Sequence, residues 1–158
     1  MLFCKEKPMK IEKLNDMEKI KVRIFGKERE LEVFSVGDNR FDEDGNYKED
    51  GFALSEKEIE CLNWLINDVD LSDYKKEIAE YCNNTYEMWC NKRIKPSDVE
   101  NEISITAIAI KVRENYKSEY YYPEISFYGD CKCDEEHGIC IGFRDRKYLG
   151  IESQDWTL

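Results

Sequence analysis

The chain has 158 residues, 41% of them hydrophobic and 13% aromatic, and a formal net charge of −11. That length and apolar content suit a single domain over residues 1–158 and exclude a disordered chain, although 37% of its residues are charged. An acidic surface repels nucleic acid and anionic lipid and attracts a basic protein, so a protein partner is expected, with no nucleic acid and no membrane.

The first eighteen residues are polar and mixed in charge, and read as a loose lead-in. No apolar run suits a signal peptide, and none approaches the length of a membrane span. The seven cysteines therefore read as reduced thiols of a cytoplasmic protein. From Lys19 to Phe25 the residues alternate, with Ile20, Val22 and Ile24 against Lys19, Lys21 and Arg23. Leu31 and Val33 resume the pattern after Gly26-Lys27, which predicts a hairpin with one buried face. Residues 37–51 are rich in acid and glycine, and Asp42-Glu43-Asp44-Gly45-Asn46 lacks the ligand spacing of a calcium loop, so it reads as a turn.

Ser55 stands three residues before Glu58, the spacing of a capping box, and Ile59, Leu62, Leu65, Ile66 and Val69 follow at helical intervals. A second helix is predicted to open at Ser72-Asp73, with Tyr74, Ile78, Tyr81, Cys82, Thr85, Met88 and Trp89 as its core stripe. The short connection at Asp70-Leu71 makes the two helices an antiparallel pair. A free cysteine in such a pattern, as at Cys61, Cys82 and Cys90, behaves as a small core hydrophobe. Lys95-Pro96-Ser97-Asp98 ends the helical region.

The apolar period then becomes two. Ile103 and Ile105 keep one phase while Ile108, Ile110 and Val112 keep the other, which implies a bulge or a central strand covered on both faces. Tyr121, Ile125 and Phe127 mark the next strand, and Pro123 predicts an edge position for its first half. Ile139–Phe143 and Tyr148–Ile151 form a last pair around Asp145-Arg146. The fold class is α+β: an antiparallel sheet with the helix pair on one face.

Cys131-Lys132-Cys133-Asp134-Glu135-Glu136-His137-Gly138-Ile139-Cys140 holds the sole histidine and three of the seven cysteines. Cys131, Cys133, His137 and Cys140 are a ligand set that tetrahedral zinc accepts, although the spacing is not that of a standard knuckle. Asp134, Glu136 and His137, with Asp155, are the oxygen-rich alternative for a divalent ion. Without metal, His137 beside Glu135 and Glu136 suits a general base, and Cys131 or Cys133 a thiolate nucleophile. Against these stands a turn in which Asp134 reverses the chain, Gly138 supplies a special conformation and His137 bonds a carboxylate. This last reading alone explains the glycine. It assigns no catalytic residue, metal or cofactor.

Around Cys131, Asp134, Glu136, His137, Gly138 and Ile139, followed by Leu149-Gly150 and Asp155, the chain resembles the DUF6985 family of bacterial domains. That family shows a late Cys-x-Trp-Asp-x-Glu-His-Gly-hydrophobic-Gly run. Cys133 stands where the family has tryptophan and Cys140 stands beside the glycine position, so the family pattern supplies no thiolate zinc site. The resemblance extends more weakly through the helices and Lys95–Val99 into the Ile103–Val112 strand. Similar small acidic domains sit among immunity proteins of bacterial toxin systems. The resemblance therefore implies a non-catalytic binding protein. Its expected contacts are the acidic loop Asp42, Glu43, Asp44, Glu49 and Asp50, and the aromatic anchors Tyr120, Tyr121 and Tyr122.

Overall fold

The computed structural model describes residues 9–36, 41–48, 51–112 and 122–157. Two strands, β1 (Lys19–Ile24) and β2 (Lys27–Ser35), pair antiparallel with Ile20 opposite Leu31 and Ile24 opposite Lys27. Val22, Ile24, Leu31 and Val33 are buried while Lys19, Lys21 and Arg23 are exposed, as the alternation requires.

Helix α1 (Glu56–Asp68) starts at the capping box: Ser55 Oγ accepts the Glu58 amide at 3.2 Å, and Glu58 Oε1 accepts the Ser55 amide at 3.0 Å. Its Leu62 and Leu65 are fully buried, each contributing about 2 kcal/mol by area. The second helix does not open at Ser72-Asp73. Asp70 Oδ1 accepts the Ser72 amide and caps a 3-10 turn over Leu71–Tyr74, and α2 (Lys75–Glu87) follows. A tight turn comes first because the aspartate cap satisfies the local amide before a full α-turn can form. Asp98 Oδ2 then accepts the Lys95 amide at 2.8 Å, and a short turn, α3 (Val99–Glu102), feeds the sheet.

The last four strands are β3 (Ile103–Ile110), β4 (Ile125–Cys131), β5 (Ile139–Arg144) and β6 (Lys147–Glu152). All six strands form one sheet in sequence order, and every pair is antiparallel except β2 with β3. The expected α+β fold with an antiparallel sheet holds, with one parallel ladder, where Val33 lies opposite Ile108. The helical segment between them returns the chain to the start of the sheet, so β3 runs alongside β2.

The phase change in β3 is a bulge between Ile105 and Ala107, and the strand is also central. Ile103, Ile105, Ile108 and Ile110 thereby all reach the helix-covered core, while Ala107 and Ala109 are buried on the other face. Pro123 is not on an edge. It is buried just before β4, which lies between β3 and β5, so the missing amide costs no ladder bond. The final hairpin turns at Asp145 and Arg146, with φ of +52° and +58°. Backbones of α1 and β4, and of α2 and β6, lie in contact across the core.

Of the expected loose lead-in, residues 1–8 lie outside the described residues, and residues 9–16 are held in place. Leu14 is buried, its carbonyl accepts the Leu54 amide, and Met9 and Ile11 are hydrogen-bonded to α1. These bonds come from residues about fifty positions away, which local polarity does not reveal.

Candidate functional site

Where β4 ends, the Cys131–Cys140 stretch folds into a corner built on Asp134. Its amide donates to the Cys131 carbonyl at 3.3 Å and its own carbonyl accepts the Gly138 amide at 3.0 Å. Its carboxylate accepts the His137 amide at 3.0 Å and faces His137 Nδ1 at 3.0 and 3.1 Å. Gly138 has φ of +63°, and a Cβ there would collide with the Gln154 side chain and the Gly129 carbonyl. Gln154 closes the corner from outside: its amide donates to the His137 carbonyl at 2.8 Å and its Nε2 to the Gly129 carbonyl at 2.6 Å.

The corner is also held from the helices. The Lys132 amide donates to the Glu102 carbonyl at 3.0 Å, and the Trp89 indole donates to the Cys133 carbonyl at 2.9 Å. Beneath this contact, Glu102 is buried. It accepts the Tyr86 hydroxyl and pairs with Lys92 at 3.6 Å, and Lys92 lies over the Tyr86 ring. A buried carboxylate with a donor and a cation is compensated, which fixes the Tyr86 ring on which Trp89 leans, centroids 5.5 Å apart.

The candidate zinc ligands are not assembled. Cys131 and Cys133 meet, with sulfurs 3.5 Å apart, but Cys140 is buried opposite Tyr128 on the far face of the sheet. His137 turns outward to Asp134. Alternation along β5 forces the separation, since Cys140 points away from the neighbouring Ile139 and Ile141 that join the core. Among the described residues, no group of three or more His, Cys, Asp or Glu side chains is placed to hold a metal ion.

The thiols are also poorly suited as nucleophiles. The Cys133 thiol and burial hold Cys131 well above the usual range. Contact with Cys131 lowers the Cys133 thiol, but Cys82 and burial outweigh it and push Cys133 up to about 12. The His137 imidazole is raised, chiefly by its bond to Asp134, with Glu136 and Asp155 adding to the effect. This exposed pair can exchange a proton with solvent. A nearby cavity of about 340 Å³ is lined by Glu102, Ser104, Asp130, Lys132 and Glu135 among others, but not by Asp134, Glu136 or His137.

Asp42, Glu43 and Asp44 lie at the exposed tip of a small turn. Asp42 Oδ1 accepts the Asp44 and Asn46 amides, and Phe41 bridges Tyr47 at the base. Tyr122 is half-buried, its ring covered by Arg144 at 5.1 Å and Lys111 at 5.2 Å, so it is no free anchor. Glu49, Asp50, Tyr120 and Tyr121 lie outside the described residues.

The exposed apolar pair next to the corner is one that sequence reasoning placed in the core. Helix α2 stops at Glu87, leaving Met88 85% and Trp89 62% exposed. Tyr86, absent from the expected stripe, is the buried ring instead. No glycine announces the helix end, so the i, i+3, i+4 pattern ran past it unmarked. Trp89 is therefore largely exposed, tethered by its indole bond to the Cys133 carbonyl, the residue that immediately precedes the acidic run Asp134–Glu136.

The model of a family described as a domain of unknown function, DUF6985, matches residues 7–158. No curated protein and no solved structure matches this chain. No helix among the described residues is long and apolar enough to cross a membrane.

Proposed function

The chain belongs to the DUF6985 family, and from that premise we propose that it is a non-catalytic, cytoplasmic binding protein of the immunity type, which neutralises a basic protein partner. The observation that carries this reading is Trp89. A tryptophan 62% exposed and pinned through its indole N–H offers a large apolar contact with little rotamer freedom left to lose. Met88, 85% exposed, adjoins it in the chain, and the acidic run Asp134, Glu135 and Glu136 directly follows Cys133, whose carbonyl the indole binds. A tryptophan anchor tethered next to an acidic run favours a partner whose own patch is cationic, such as the substrate groove of a nuclease. The acidic tip Asp42–Asp44, with Phe41 and Tyr47 exposed at its base, is a second contact of the same character.

The test is co-expression with the product of the adjacent gene. Wild-type chain is expected to relieve growth arrest and to co-elute with that product. Trp89→Ala, and separately Glu135→Lys with Glu136→Lys, should weaken the complex by about 10- to 100-fold. A neighbour that is harmless, or is neutralised equally by all variants, overturns the proposal. The alternative of a His-based enzyme rests on the 3.0 Å Asp134–His137 pair. It requires that His137→Ala abolish a measurable reaction while leaving the complex intact.

A further inference from the structure

Residues 9–16 form a strap held by the buried Leu14 side chain, by the Asp16 carboxylate on the Ser35 amide and, at its start, by two asparagines that bind its backbone. Asn63 Oδ1 accepts the Ile11 amide and Asn63 Nδ2 donates to the Ile11 carbonyl, both at 2.8 Å. Asn67 does the same for Met9, at 2.8 and 2.6 Å, and its Nδ2 is steadied by the Asn63 carbonyl. The geometry explains why the pairing works. Four helical residues rise about 6 Å, and two extended residues span about 6.6 Å, so amides one helical turn apart meet alternate peptide units of a strand. Because both asparagines bind peptide units, an identical strap from a second copy offers them the same donors and acceptors.

The strap is joined to β1 by a strained hinge. The Glu18 amide donates to the Asn15 carbonyl at 3.2 Å, closing a four-residue turn, and Met17 holds φ of +70° at its third position. That position of a type II turn calls for glycine or asparagine, whereas methionine carries a Cβ penalty there. The Met17 side chain is 57% exposed. Its left-handed conformation is imposed by the strap on one side and β2 on the other, where its amide donates to the Val33 carbonyl. Opening the hinge to an extended conformation relieves the strain and carries the strap away from its own α1.

We propose that residues 9–16 exchange between two copies of this chain, each strap seated on the Asn63–Asn67 clamp of the other. The strap contacts are then remade in the partner, among them the two asparagine clamps, burial of Leu14, the Asn15–Ala53 bridge, the Leu54 amide on the Leu14 carbonyl, the Asp16 amide on the Phe52 carbonyl and the Ser35 amide on the Asp16 carboxylate. The closed and exchanged forms differ mainly in the hinge, so strain at Met17 sets the balance and protein concentration tips it.

The experiment is light-scattering chromatography of the full chain from micromolar to millimolar concentration, with a disulfide pair Asn15→Cys and Ala53→Cys, which face each other across an antiparallel bridge, to report where the strap sits. Wild type should dimerise increasingly with concentration, and the dimer should carry the cross-link between chains. Met17→Gly should raise the dimer dissociation constant about tenfold, because each dimer loses strain at two hinges. Met17→Val, which tolerates a positive φ still less, should lower it. A chain that stays monomeric at millimolar concentration even as Met17→Val overturns the proposal. So does a dimer whose cross-links lie within each chain or whose stability ignores Met17→Gly.

Discussion

The corner at 131–140 and the acidic turn at 41–47 use the same local chemistry to different ends. In each, an aspartate carboxylate accepts amides two to four residues ahead, and a glycine with positive φ completes the reversal. The bonds of Asp42 stay within residues 42–46. Those of the corner draw in Trp89 from beyond α2, Glu102 from α3 and Gln154 from the C-terminal turn. A turn that closes only on itself can present charge. A turn tied to three distant elements can also hold an aromatic ring in a set orientation, and this distinguishes the proposed anchor from its acidic neighbour.

Substituting the two glycines should separate these regions most sharply. Gly138→Ala combines a strained φ with collision against a backbone carbonyl, and is expected to cost about 3 kcal/mol or more in urea unfolding. Gly45→Ala, at φ of +80° with nothing within 4 Å, should cost only about 1 kcal/mol. Equal costs would show that the corner is no more tightly held than the turn.

Next in size is the support under Trp89. Tyr86→Phe removes the donor to Glu102, which is 4% exposed, and should destabilise by about 2 kcal/mol. It should also shift Trp89 fluorescence, because the ring beside the indole loses its tether. Unchanged emission would sever the buried pair from the anchor.

The smallest effect is the pH response of the corner. His137 has a folded pKa raised by Asp134, so its stabilising contribution is complete below the unfolded value of about 6.5 and is lost as pH rises through the folded value. Wild-type urea midpoints should therefore decline across that window, and His137→Gln should flatten the decline. Identical slopes would show that the pair has no thermodynamic weight.

Much of the architecture is legible in the residues alone, because it depends on neighbours a few positions away. Alternation located β1, β2 and the last hairpin, Ser55 and Glu58 announced α1, and the isoleucine phase change anticipated the bulge in β3. Asp134, Gly138 and His137 sit close enough in sequence for their turn to be read directly. Other features depend on contacts between residues far apart, which carry no local signature: the parallel ladder of β2 with β3, the strap on Asn63 and Asn67, the separation of Cys140 from Cys131, and the exposure of Trp89. Local preference settled which elements form, whereas burial and hydrogen-bond closure across the assembled core settled which side chains were left facing water.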